Sequence, residues 1–540
     1  MVSLWGSKKD DQGRAENGDH AQQDNDRHSP VRDYGRRSQE PEPDERTRLL
    51  PREGNGYLSP DDPAVSPYNL WTVRALRGLS VFFLAISFVW WVFLLVSIFV
   101  SPPLMHSRGS GFFDFAYTSL TVGYIIIGLL FFSVPSRPML IWGAVLSVLL
   151  FIDMLIIVSV PRIRVEEGWV GIASVIWATL ISIYNIMQNR YVAWGKKEEE
   201  ERLTGREETR RTLVEWIAVM VELVIMGIIA IVVLLMTATL ILRARDASLA
   251  PPGKKYYVDG DKYQVHVACV GNITAQEDKQ SPTILVEGGE GPVEDSLQPW
   301  IDQLYQHGTI DRYCYWDRPG FAWSDNAPSP HSAGMATDAL SEALAIAGEE
   351  GPWILVSAGV GSIYSRIFSS RHLRDVQGLF LIDPLHEDFL SQVGKPGRGF
   401  LLWARGIISP LGLDRLAGAI FKGRTREDRV FGQSAYQGGR FIKAKLQENL
   451  VAESMTASEI ASARHIQTRD TPLVIASSGV EVRKSEKWAK RQEDLGQITD
   501  NLIAWDVIKH APHEVWKTSD GRKIMEARLG DLLRAVKDEA

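Results

Sequence analysis

Asp153 and Glu222 are carboxylates set inside long apolar runs. Acids in such positions are costly, so they carry a proton, bind an ion or bond a neighbouring helix. A protonated carboxyl held by the next helix is the favoured account of each; the alternative is that the pair lines a polar path across a helix bundle. Asn272, followed by Ile273 and Thr274, forms an N-glycosylation sequon, which is used only in the secretory lumen. Cys269 and Cys314 are the two cysteines in 540 residues, which excludes a disulfide-dense scaffold and a Cys-rich metal site. In an oxidising compartment those two thiols are expected to form a bridge. Nothing in the sequence calls for a metal or a cofactor.

These residues need a membrane domain and a soluble domain to position them. Residues 1–66 are polar, charged and rich in Pro and Gly, a composition expected to remain disordered. That tail has no apolar signal-peptide core, and its many acids disfavour a mitochondrial transit peptide. Within it, Glu45, Leu49 and Leu50 form a hexamer resembling the acidic dileucine signal that clathrin adaptors read on cytosolic tails. Five apolar runs follow, at about 79–100, 115–134, 139–160, 168–187 and 217–242. Each is close to the roughly 20 residues a helix needs to span a bilayer. Residues 67–245 are therefore expected to form a helical membrane domain, with the lipid bilayer as its first partner.

Lys and Arg near the span ends set the orientation. With five spans, ten such residues, including Arg74, Arg137, Lys196 and Arg211, share one side against Arg108, Arg162, Arg164, Arg243 and Arg245 on the other. The expected arrangement is a cytosolic tail and a lumenal C-terminal domain. The net charge of −7 is too small to name a partner, and its sign argues against nucleic acid.

From residue 246 to 540 the pattern changes to short β-rich runs separated by helix-length segments. Strand candidates fall at 263–269, 283–287, 312–316, 353–357, 378–382, 472–477 and 502–507. Such alternation predicts a mostly parallel sheet with helices on both faces. The residues themselves resemble the α/β-hydrolase superfamily. "TILVEGGEG" followed by "YCYWDRPGFAWSD" is similar to its third and fourth strands, and "GPWILVSAGVGSIYSRIF" to its strand, nucleophile elbow and helix. "VQGLFLIDPLHEDF", "TPLVIASS" and "LIAWDVIKHAPHEVW" then match its later strands in order. Residues 386–465 resemble the helical cap that covers the pocket in that superfamily. The whole architecture also resembles uncharacterised fungal integral membrane proteins, often labelled mitochondrial.

The resemblance implies roles residue by residue. In the elbow pattern Gly-x-Ser-x-Gly, Gly359 stands where the nucleophilic Ser belongs, with Gly361 as the second Gly. His513 falls at the catalytic His position, and Asp383, with Glu481 as the alternative, at the acid position. The N–H groups of Val360 and of Gly288 or Gly289 are placed to form an oxyanion hole. Ser357 and Ser362 are the alternative nucleophiles, though both also fit as small packing residues. The expected function is thus a membrane-anchored, hydrolase-like protein, non-catalytic or impaired, that binds a ligand or partner at the membrane. An active serine hydrolase for an ester or lipid-like substrate is the alternative. A transporter-like bundle ranks third, because the spans show no internal repeat. The expected location is an endomembrane, vacuole-like, with a mitochondrial membrane as the alternative.

Overall fold

Each apolar run becomes a helix: α1 (Trp71–Phe99), α2 (Phe112–Leu130), α3 (Arg137–Ser159), α4 (Pro161–Thr204) and α5 (Leu213–Asp246). All five are long and apolar enough to cross a membrane. The structure, a computed structural model, describes residues 65–105, 107–205, 212–272, 275–276, 279–280 and 282–539. The tail with Glu45, Leu49 and Leu50 lies outside the described residues, as do Ile273 and Thr274 of the sequon. Asn272 itself is exposed.

Helix α4 departs from the expected 168–187 span. It runs for 44 residues, with a break at Gly168, where φ is +63°. Its C-terminal turns are polar yet stay helical, because Lys196–Glu200 and Lys197–Glu201 pair one turn apart at 3.8 Å. They also pack on the start of α1: Asn69 donates to Glu199 at 3.3 Å, and Val73 lies against Gly195. The basic loop expected from Arg190 onward is therefore helix as far as Thr204. Inside the bundle, Tyr117 of α2 donates to Asp153 of α3 at 3.0 Å, and Ser136 donates to Glu222 of α5 at 2.6 Å. Both acids thus bond a neighbouring helix.

The α/β part is an eight-stranded sheet: β1 (Lys254–Val258), β2 (Tyr263–Val270), β3 (Thr283–Glu287), β4 (Tyr313–Trp316), β5 (Trp353–Ala358), β6 (Val376–Ile382), β7 (Leu473–Ser478) and β8 (Leu502–Ile508). Their order is β1-β2-β4-β3-β5-β6-β7-β8, antiparallel about β2 and parallel elsewhere. The first strand, β1, was not apparent in the sequence, because only one of its five residues is buried. Helices α6 (Gln298–Gln306), α7 (Ala333–Ala347) and α8 (Gly361–Arg371) follow β3, β4 and β5. Cap helices α9 (Pro396–Ile408), α10 (Leu413–Phe421), α11 (Gly439–Val451) and α12 (Ala457–Ile466) lie between β6 and β7. Helices α13 (Glu486–Leu495) and α14 (Ser519–Glu539) complete the chain. One face of the sheet is covered by α7 and α8, the other by α6 and α14, each with its own apolar core. This is the α/β-hydrolase fold, and it shares one compact body with the bundle.

Cys269 of β2 and Cys314 of β4 stand directly opposite each other and form a disulfide, with Cα atoms 4.0 Å apart. The bridge closes a chain separation of 45 residues, a constraint worth about 4 kcal/mol in the chain-entropy account. Changing both to Ser is expected to lower the melting temperature, with reductant then having no further effect. An unchanged melting temperature would contradict this.

Candidate functional site

The site gathers where the parallel strands end, which is where the turns of an open α/β sheet carry function. Gly359 follows β5 at a sharp turn into α8, with φ +49°, a conformation glycine adopts without steric cost. The turn is pinned: Gly359 N–H donates to Ile382 O at 3.0 Å, and its carbonyl accepts from Leu385 N–H at 2.9 Å. Gly361 must also be glycine, since a Cβ there would stand 2.1 Å from Gly288 O. That close approach sets the elbow against the Gly-rich loop after β3. The Val360 N–H has no acceptor among the described residues, and Gly289 Cα lies 3.9 Å from where a Gly359 Cβ would stand.

His513 reaches this apex from the loop after β8. Its Nε2 is 2.9 Å, and its Cε1 3.3 Å, from the position of a Cβ on Gly359. Its Nδ1 lies 2.6 Å from Asp383 Oδ2. A carboxylate only accepts, so Nδ1 carries a proton, and Nε2 faces Gly359. Asp383 is fully buried at the end of β6, with φ +38°. Its other oxygen accepts from Ser478 N–H at 3.0 Å and Trp488 Nε1 at 3.2 Å. Burial alone would lower the His513 pKa, but the Asp383 bond and charge, with Glu290 and Glu481 beyond, carry it above the ordinary value. Ser478 caps a short helix, its Oγ accepting from the Glu481 N–H at 3.1 Å, and the Glu481 side chain pairs with Lys484.

The alternative hydroxyls are placed differently. Ser362 Oγ donates to Gly359 O at 2.7 Å, and lies 3.4 Å from Leu385 O. Ser357 Oγ is buried in β5 with no hydrogen-bond partner among the described residues. The cap closes down over the elbow: a cavity of about 10 Å³ lies between Val360, Ile363 and the cap residues Val451 and Ala452. Roughly 10–15 Å³ is the room one water needs.

Two further groups were not apparent in the sequence. Arg318, inside the quoted "DRPG" turn, is buried and bonds Gly289 O, Glu287 at 3.2 Å and Glu448 of α11 at 3.3 Å. It also lies over the Phe321 and Tyr364 rings, at 4.4 and 4.7 Å. Arg318 therefore locks the Gly-rich loop to the cap. The second group is His266, Glu294 and Asp317, all buried, with donor atoms within 4.8 Å of one another. His266 Nε2 accepts from Gly253 N–H at 3.2 Å, so Nδ1 holds the proton and donates to Asp317 at 2.8 Å. Burial pushes Asp317 up to about 7 and Glu294 well up, and pulls His266 down to about 4. His266 and Asp317 are hydrogen-bonded with Glu294 beside them; a cation would have to displace the Nδ1 proton. Cys269 and Cys314, near Glu349, offer no thiolate because they are bridged.

Residues 45–269 match a family described as a region of unknown function (DUF2417). An uncharacterized protein of Schizosaccharomyces pombe is 33% identical over 527 residues, covering 91% of this chain and 96% of its own length. An uncharacterized vacuolar membrane protein of Saccharomyces cerevisiae is 26% identical over 393 residues, 61% of each chain. Among solved structures, an α/β hydrolase from a deep-sea metagenome library is 12% identical with a TM-score of 0.37, covering 53% of this chain and 98% of that one. A putative α/β hydrolase from a Nostoc species is 13% identical with a TM-score of 0.39, covering 52% and 97%.

Proposed function

The chain belongs to one family with the fission-yeast relative, which it matches over 91% of its length, and it carries the DUF2417 region at residues 45–269; on that premise we propose that its α/β part binds a ligand or partner at the membrane without serine-type catalysis. One observation carries this reading. His513 Nε2, oriented by Asp383, points at Gly359, where a hydrolase needs a hydroxyl. Acyl transfer through this fold requires an alkoxide-forming nucleophile, a His to take its proton and N–H donors for the oxyanion. The last two have residues in position: His513, and Val360 with the Gly288–Gly289 loop. What remains is the His513 ring and the Val360 N–H beside Gly359, polar groups that a small ester or lipid-like ligand would meet.

A fluorophosphonate probe is expected to leave the purified wild-type protein unlabelled. Labelling that disappears in Ser357→Ala or Ser362→Ala would establish a serine hydrolase instead.

The location proposed is a vacuole-type membrane with the α/β part in the lumen. The loop charges, the exposed Asn272, the disulfide and the vacuolar relative support it. Glycosidase is expected to increase gel mobility of the wild type and to leave Asn272→Gln unmoved. A tail protected from protease in sealed microsomes, or import into mitochondria, would overturn the arrangement. Adaptors are the proposed readers of Glu45, Leu49 and Leu50, so Leu49→Ala with Leu50→Ala should redirect the protein.

A further inference from the structure

Where the bundle meets the α/β part, guanidiniums outnumber carboxylates. The start of α4 brings Arg162, Glu166 and Glu167, the end of α5 brings Arg243 and Asp246, and the cap region brings Arg415, Arg429 and Arg440. Glu166 takes Arg162 at 3.3 Å, Arg243 at 2.9 Å and Arg440 at 2.8 Å. Glu167 takes Arg243 at 2.6 Å. Asp246 holds Arg429 through two nitrogens, at 2.6 and 2.9 Å. The fifth arginine is left over. Arg415 reaches Asp246 only at 3.5 Å, and its shielded Nε has no hydrogen-bond partner among the described residues. Burial, with Arg243, Arg429 and Arg440 nearby, lowers its pKa to about 10 against the pull of Asp246.

All five arginines line one cavity of about 90 Å³. A water needs roughly 10–15 Å³ by this measure, so the space admits a group of phosphate size. Guanidinium stays charged and presents paired donors that match phosphate oxygens. Five such groups against three carboxylates leave the cavity short of negative charge. It shares no residue with the Gly359, His513 and Asp383 group.

A neighbouring cavity of about 120 Å³ shares Ser409 and Arg415 with the first and is lined by Ile408 and Leu413 of the cap. Around it, α9 and α10 turn Phe400, Leu401, Ile420 and Phe421 outward, the last 84% exposed. Leu411, between α9 and α10, accepts from Thr239 of α5 at 3.1 Å, so the turn that joins these two cap helices sits at the C-terminal end of α5. A charged cavity beside an outward apolar surface, at the level where spanning helices end, matches a lipid: headgroup inside, chains outside.

We propose that this cavity binds the phosphate group of an anionic phospholipid, whose acyl chains lie along the exposed apolar faces of α9 and α10. The test uses the full chain, purified in detergent, with affinities measured for dioctanoyl phosphatidate, dioctanoyl phosphatidylcholine and inorganic phosphate. Phosphatidate is expected to bind at least about tenfold more tightly than either of the others, the difference one charge-assisted contact or a short buried chain supplies. Arg415→Gln should weaken phosphatidate by about tenfold or more. Phe421→Ser, a surface change that leaves packing intact, should weaken phosphatidate and leave inorganic phosphate unchanged. Equal binding of phosphatidylcholine overturns phosphate recognition, and equal binding of inorganic phosphate overturns the lipid as its source. Phosphatidate affinity unchanged in Arg415→Gln, or in Phe421→Ser should the first variant not fold, overturns the site.

Discussion

Gly359→Ser is expected to acquire fluorophosphonate labelling that the wild type lacks, and to lose it again when combined with His513→Ala. The gain rests on what already surrounds the apex. A Cβ at position 359 would stand 2.9 Å from His513 Nε2, so a hydroxyl one bond further falls within hydrogen-bond reach once the ring moves back by a few tenths of an ångström. The ring can move, because it is the end of a side chain that is 36% exposed, not backbone. Asp383 keeps Nδ1 engaged as it does so. A non-glycine residue at φ +49° costs on the order of 1–3 kcal/mol, so the variant should melt lower but stay folded. A folded Gly359→Ser protein with no labelling would mean that the hydroxyl is not what the site lacks.

Glu166→Gln is expected to destabilise the junction between bundle and α/β part by about 3–5 kcal/mol, the usual cost of stripping a buried charge from its partners. The effect is large because one carboxylate serves Arg162, Arg243 and Arg440. Amide for carboxylate keeps the volume and removes the charge, so packing is not the variable. The measurement is the melting temperature of the detergent-solubilised protein, with Arg164→Gln, an exposed change, as the control that should shift little. Equal melting of Glu166→Gln and the control would show that the arginines find solvent or lipid partners instead.

Much of this was legible in the sequence, and the reasons differ from element to element. The five spans needed only length and apolarity, so they emerged directly. The end of α4 did not, because Glu198 to Glu201 look like a solvated loop until Asn69 and Val73 are found packed on it. Gly359 was found by position in a motif. His513 and Asp383 are 130 residues apart, and only the order of strands connects them before the fold does. Arg318 stands in the Asp-Arg-Pro-Gly turn, yet nothing local says that it bonds Gly289 O. His266, Glu294 and Asp317 carry no shared periodic signal, since the first lies within β2 and the other two in separate loops. The arginine cavity was invisible for the same reason: its cap members meet α4 and α5 only in three dimensions.

The Glu166–Arg440 pair spans 274 residues of chain. At a synthesis rate of about 5–20 residues per second, Arg440 emerges roughly 15–55 s after Glu166. During that interval the helical half carries an unfinished electrostatic knot, held by Arg162 and then, 77 residues behind Glu166, by Arg243. The nascent bundle must therefore tolerate a stage at which its exposed end is a waiting socket, and the arriving cap is what closes it.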